Sequence, residues 1–186
     1  MKRAAANLAL AFSDTTQQRI WEGGRADQEE HEGALRGMLL TRALIRAYIE
    51  GGNATLTIQS KVTNDRFTFR FRQPKHERDP QHHKPIWVSV LNGPDNESSY
   101  AFIGSIFPDR STTELRPSSR SKVGLDAPSA QAVAWLLRQV YLGTNDDALF
   151  GRASIWHEGR CGRCGRKLTV PESVESGFGP ECITRI

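Results

Sequence analysis

A chain of 186 residues, 38% hydrophobic and 25% charged, is long enough for one domain with a proper core plus a small appended module, and its balance excludes fibrous and membrane-spanning classes. The formal net charge of +4 tilts the expected partners toward anions, either nucleic acid or an acidic protein surface. No run approaches the roughly 20 apolar residues of a bilayer crossing, and the three cysteines have metal-ligand rather than disulfide spacing, which implies a reducing, cytoplasmic setting.

The start, Met1-Lys2-Arg3 followed by an Ala-rich run to Phe12, mimics a secretory signal, but Asn7 interrupts it and large apolar residues are few. It reads as a short helix followed by a break at residues 13–18. From Asp27, apolar residues Leu35, Met38, Leu39, Ile45, Tyr48 and Ile49 recur at helical intervals up to Gly51-Gly52, which predicts a helix over 27–50. Arg36, Arg42 and Arg46 flank its stripe and read as a solvated edge.

Beyond the double glycine the period drops to two. Residues 55–59 and 66–72 alternate around a turn at Asn64-Asp65, the pattern of a hairpin. In the second strand Phe67, Phe69 and Phe71 share one face, and Arg66, Thr68, Arg70 and Arg72 the other. The phenylalanines are either stacking platforms for bases or core residues; the lack of interleaved glycines favours the core. Arg70 and Arg72 then face outward, where they can meet phosphates.

Residues 73–85 read as a polar loop, whose His76, His82 and His83 lack accompanying cysteines or carboxylates. Residues 86–91 and 100–107 follow as strands, apolar on both faces, with turn formers at 92–96 between them. Gly104 in mid-strand suggests a bulge or a close backbone approach. A basic loop over 108–127 carries Arg110, Arg116, Arg120 and Lys122. Pro128 opens a helix with the stripe Val133, Leu136, Leu137 and Val140, closed by Gly143. Asn145-Asp146-Asp147 is a turn, and residues 153–157 form a last short strand.

That strand leads into Cys161-Gly162-Arg163-Cys164-Gly165, and the third cysteine returns at Cys182 after Gly177-Phe178-Gly179-Pro180. A knuckle plus a distant cysteine is the spacing of a tetrahedral zinc site that lacks one ligand. His157 is the nearest residue to complete a Cys3His set; a loop histidine, Glu158, Glu181 or water are its rivals. No His-Glu-x-x-His or deaminase-type motif accompanies the cysteines, so the zinc reads as structural and the protein as non-enzymatic. Arg160, Arg163, Arg166 and Lys167 crowd the knuckle, where such side chains either contact nucleic-acid backbones or keep the module soluble.

The segments Cys161–Ser173 and Gly177–Cys182 resemble a zinc-finger-like domain of unknown function found in bacteriophage and bacterial mobile-element proteins. With Arg66-Phe-Thr-Phe, Val90 to Glu97, Asp126 to Ser129 and Trp156-His-Glu-Gly-Arg, the likeness runs from Thr55 to Cys182. It strengthens the expectation for His157 as a ligand and implies an origin in phage or mobile DNA, in a bacterial host. The expected fold is α+β: a four- to five-stranded mixed or antiparallel sheet with a packing helix, an N-terminal helical segment (1–52), an α+β body (53–152) and a zinc module (153–186). The expected function is binding of nucleic acid through Arg70, Arg72, Arg163, Arg166 and Lys167. The alternative is a protein-binding inhibitor of a bacterial defence complex, of the anti-CRISPR kind.

Overall fold

The computed structural model describes residues 37–74, 85–108 and 114–186. The short N-terminal helix, the first part of the helix expected from Asp27, the loop histidines and Arg110 lie outside them. Residues 37–186 belong to one compact unit.

The first described helix, α1, spans Arg42–Glu50, so the helical stripe starts later than its periodicity suggests. Gly37 takes a left-handed φ of +80°, Met38 bridges Trp156, and the Thr41 side chain caps the Leu44 N–H. The apolar residues Met38 and Leu39 therefore belong to an extended segment laid along the last strand, with Leu39 N–H donating to the Ile155 carbonyl at 2.9 Å. Hydrophobic spacing alone does not distinguish a buried extended approach from another helical turn.

Five strands follow: β1 (Asn53–Ser60), β2 (Arg66–Arg72), β3 (Ile86–Leu91), β4 (Tyr100–Ile106) and β5 (Ala153–His157). They form one open sheet in the order β4-β3-β2-β1-β5. Every pairing is antiparallel. The fold is thus α+β with all five strands antiparallel, and the strand that leads into the cysteines is also an edge strand of the sheet.

Helix α2 (Pro128–Leu142) packs across one sheet face with Pro128 in its first turn and Ala130, Val133, Leu136, Leu137 and Val140 buried. Phe69 and Phe71 are fully buried, as a core face requires, and Ile86, Val88 and Val90 continue that face on β3. A fully buried side chain of this class contributes roughly 1.5–3 kcal/mol, which secures the strand register. Arg42 at the start of α1 pairs with Asp146 and donates to the Gly143 carbonyl at the end of α2. It is a tie between elements rather than a solvated flank. Asn145 caps a short helix, α3 (Asp146–Phe150), by accepting from Asp147 N–H.

The opposite sheet face carries the arginine row. In register, Arg70 lies opposite Ser89 and Arg72 opposite Trp87, so this face also presents Trp87, which is 47% exposed. The expectation that β3 is covered on both faces is corrected at that residue. At Gly104 the close approach is real: an added Cβ would stand 2.5 Å from the Arg116 carbonyl oxygen, where Ser105 and Arg116 exchange backbone hydrogen bonds at 2.8 Å. The basic loop is docked there against the outer edge of β4.

Candidate metal centre

Three features of the backbone bring the cysteines together. Cys161 and Gly165 close a tight turn, with Gly165 N–H donating to the Cys161 carbonyl at 2.9 Å and Cys161 N–H to the Arg166 carbonyl at 2.8 Å; Gly165 takes φ +75° there, as its place after the knuckle anticipates. Helix α4 (Pro171–Ser176) ends in left-handed Gly177, which turns the chain back. Helix α5 (Pro180–Ile183) then carries Cys182. The ligand atoms of Cys161, Cys164 and Cys182 all lie within 4.8 Å of one another.

The module is built onto the sheet and α1. Asn53 N–H, at the start of β1, donates to the Gly162 carbonyl at 2.8 Å, and Gly162 N–H donates to the Gly177 carbonyl at 3.0 Å. Under them sits Tyr48 of α1, wholly buried, whose hydroxyl donates to the Arg160 carbonyl at 2.7 Å. Its ring lies 5.4 Å from that of His157 and 5.7 Å, edge-on, from that of Phe178. Gly162 is required by this contact, because a Cβ there would come within 2.5 Å of the tyrosine ring. Sequence reasoning placed Tyr48 in a helical stripe and had no signal that it forms the floor of the metal module.

Electrostatics also favour a cation. Burial pushes the Cys161 thiol up, but backbone N–H groups of Cys164, Gly179 and Arg163 and the Cys164 thiol outweigh it and bring it down to about 7. Burial and the hydrogen bonds from Cys164 and Cys161 push Cys182 up to about 11. A metal ion bound among the sulfurs would favour the thiolate form of its ligands. The residues present fit a thiophilic metal: three soft donors, a turn that bends sharply, and N–H groups aimed at sulfur.

His157 is not one of the group. Its Nδ1 accepts from Gly159 N–H at 3.0 Å, which leaves the proton on Nε2 to donate to the Val174 carbonyl at 2.6 Å. Both ring nitrogens are engaged within the chain, and burial lowers the imidazole pKa, keeping it neutral. The spacing that suggested a ligand belongs instead to a tie between β5 and α4. Glu158 and Glu181 do not join the cluster either; among the described residues it consists of the three cysteines.

The basic candidates divide into two kinds. Arg70 donates to the carbonyls of Glu97 and Asn96 at 2.8 and 3.0 Å, and its guanidinium lies 3.7 Å from the Tyr100 ring centroid. Arg72 donates to the carbonyls of Ala54 and Phe71 at 2.7 and 3.0 Å. Burial, then the nearby Arg70 charge, lowers its pKa. Both are structural ties as well as cations, a role that strand alternation alone does not reveal. On the knuckle, Arg163, Arg166 and Lys167 are exposed; Arg163 reaches the Arg185 carbonyl at 3.0 Å. Arg160 joins Arg70 and Arg72 around one polar cavity of about 480 Å³, shared with Glu97 and Glu158.

A cluster of three cysteines compatible with a metal, seated at the edge of an antiparallel α+β sheet, is the class that fold and site define. Residues 152–186 match a domain family described as a family of unknown function, DUF6011. The match covers the metal module and little else. No curated protein and no solved structure matches the chain. Among the described residues no helix is long and apolar enough to cross a membrane.

Proposed function

We propose that this protein is a non-enzymatic accessory protein of phage or mobile-element type, which binds nucleic acid through basic surfaces held in place by a structural zinc. The observation that carries the reading is the convergence of Arg70, Arg72 and Arg160 on one cavity, where the open sheet face and the knuckle meet. Arg166 and Lys167 extend the charge along the knuckle. The hydrogen bonds of Arg70 and Arg72 are largely internal, so they supply attraction, while Arg166, Lys167 and Arg160, which spends one nitrogen on the Gly165 carbonyl at 3.3 Å, supply donors to phosphate oxygens. Zinc suits three thiolates in a reducing cytoplasm.

The test is binding of short single- and double-stranded oligonucleotides to the metal-loaded chain at about 50 and about 200 mM salt. Affinity should fall steeply with salt, and replacing Arg160, Arg166 and Lys167 together by Ala should flatten the dependence by about 0.7–0.9 per lost phosphate contact. Binding that is absent at low salt, or untouched by the triple substitution, overturns the reading.

A second reading, inhibition of a bacterial defence complex, is favoured by Trp87. This half-exposed tryptophan, opposite Arg72 in the sheet, has the residue type that dominates protein interfaces. It requires one stable complex with a host protein in pull-downs, lost in Trp87→Ala. Failure to recover such a complex removes it.

A further inference from the structure

We propose that a metal held by Cys161, Cys164 and Cys182 takes its fourth ligand from solution, as a small anion received in the cavity that Arg166 and Lys167 line. The inference rests on the metal reading above and concerns what completes it. The expected protein ligand is spent elsewhere: His157 uses one nitrogen on Gly159 and the other on Val174. No other His, Cys, Asp or Glu among the described residues brings a donor atom into the group of sulfurs. A tetrahedral ion with three protein donors keeps one position for a water or another exogenous ligand.

The surroundings of that position have a definite chemistry. A cavity of about 230 Å³ is lined by all three cysteines together with Arg166, Lys167, Ser173 and Glu181. Cys164 is exposed, Cys182 half-buried and Cys161 buried, so the cluster is reached from outside on its Cys164 side. Arg166 and Lys167 are exposed and, among the described residues, form no ion pair.

Charge decides which ligand fits. A divalent ion with three thiolates carries a net charge of about −1, and Glu181 adds to it, which opposes a further anion. Arg166 and Lys167 offset both. Closed sites with four thiolates carry one more negative charge on the same ion, so an anionic fourth ligand lies within what such centres sustain. A neutral donor gains nothing from the two cations.

The experiment uses the full chain loaded with Co2+, whose absorption reports thiolate ligation and coordination geometry. Uptake with thiolate charge-transfer bands tests the metal reading itself; without uptake, both that reading and this one fall. Azide and imidazole are then titrated separately. Azide should shift the visible bands, and imidazole should act more weakly. The Arg166→Ala/Lys167→Ala variant, altered only at exposed positions, should need about tenfold more azide. His157→Gln, which retains hydrogen-bonding capacity without an imidazole, should leave the cobalt spectrum unchanged. Cobalt bands that respond to neither ligand overturn the proposal while the three-thiolate site stands, and a nitrogen ligand lost in His157→Gln or in a His76, His82 or His83 variant replaces the exogenous anion with that histidine.

Discussion

Replacing Tyr48 by Phe removes one hydrogen bond from beneath the metal module and leaves the ring in place. The hydroxyl donates to the Arg160 carbonyl at 2.7 Å, and burial raises the phenol pKa well above its usual range, so the donor persists at any working pH. Loss of such a bond costs about 1 kcal/mol, rising toward about 2 where the carbonyl is left without a partner. For a unit of this size each kcal/mol moves the melting temperature by roughly 2–4 °C. Tyr48→Ala also removes the ring from His157 and Phe178, a change of about 3–5 kcal/mol. Because the ring touches Gly162 and Gly177 of the module as well as serving α1, part of each loss should appear as weakened metal binding, about tenfold per 1.4 kcal/mol. Thermal unfolding with and without chelator, paired with a competition assay for metal, separates the two effects. Should Tyr48→Ala lower the melting temperature yet bind metal as tightly as the parent, the tyrosine serves α1 alone and the floor described above is wrong.

Gly162→Ala should weaken metal binding far more than Gly159→Ala. The first places a Cβ 2.5 Å from the Tyr48 ring, whereas the second meets nothing within 4 Å and adds only the strain of a φ of +76°, roughly 1 kcal/mol. Metal competition on the two variants checks the order, and equal losses would refute it. For His157 the folded-state pKa is lowered from the ordinary value, first by burial. Between that value and about 6.5 the unfolded chain holds the extra proton. Its contribution is therefore intact above about pH 6.5 and lost as pH falls toward the folded-state value. Denaturant unfolding of parent and His157→Gln across that range should give curves that converge on acidification; parallel curves would show that the imidazole is not the group responsible.

Strand alternation was the most legible feature of the chain. Phe69 and Phe71 point into the core and Arg70 and Arg72 away from it because a β-strand permits no other arrangement once one face is buried. The cysteine cluster was equally readable, since a two-residue knuckle and its glycines serve few other purposes. What failed rests on contacts between segments distant in sequence. A helix over 27–50 and an extended arm at Gly37–Leu39 followed by α1 place Met38 and Leu39 in similar apolar surroundings, and it is the pairing of that arm with β5, through the Met38–Trp156 bridge and the backbone bonds of Gly37 and Leu39, that distinguishes them. His157 stands at ligand spacing, but the Val174 carbonyl that occupies its Nε2 lies 17 positions away in the chain. Arg42, likewise, looks like a flank until Gly143 and Asp146 are brought beside it.

The metal module and the arginine cavity share backbone, which makes metal occupancy relevant to the proposed binding surface. Arg160 and Gly165, on either side of Cys161 and Cys164 in sequence, line that cavity together with Arg70 and Arg72. The knuckle is held to β1 by the bond from Asn53 to Gly162. If the metal is withdrawn, the cysteine-bearing turns lose the interaction that offsets their ordering entropy, whereas β2 remains paired on both sides and keeps its two arginines. The cavity would then lose one wall and one cation while the sheet stands. Chelation should thus reduce oligonucleotide affinity without unfolding the sheet, a combination that a surface carried by the sheet alone does not produce.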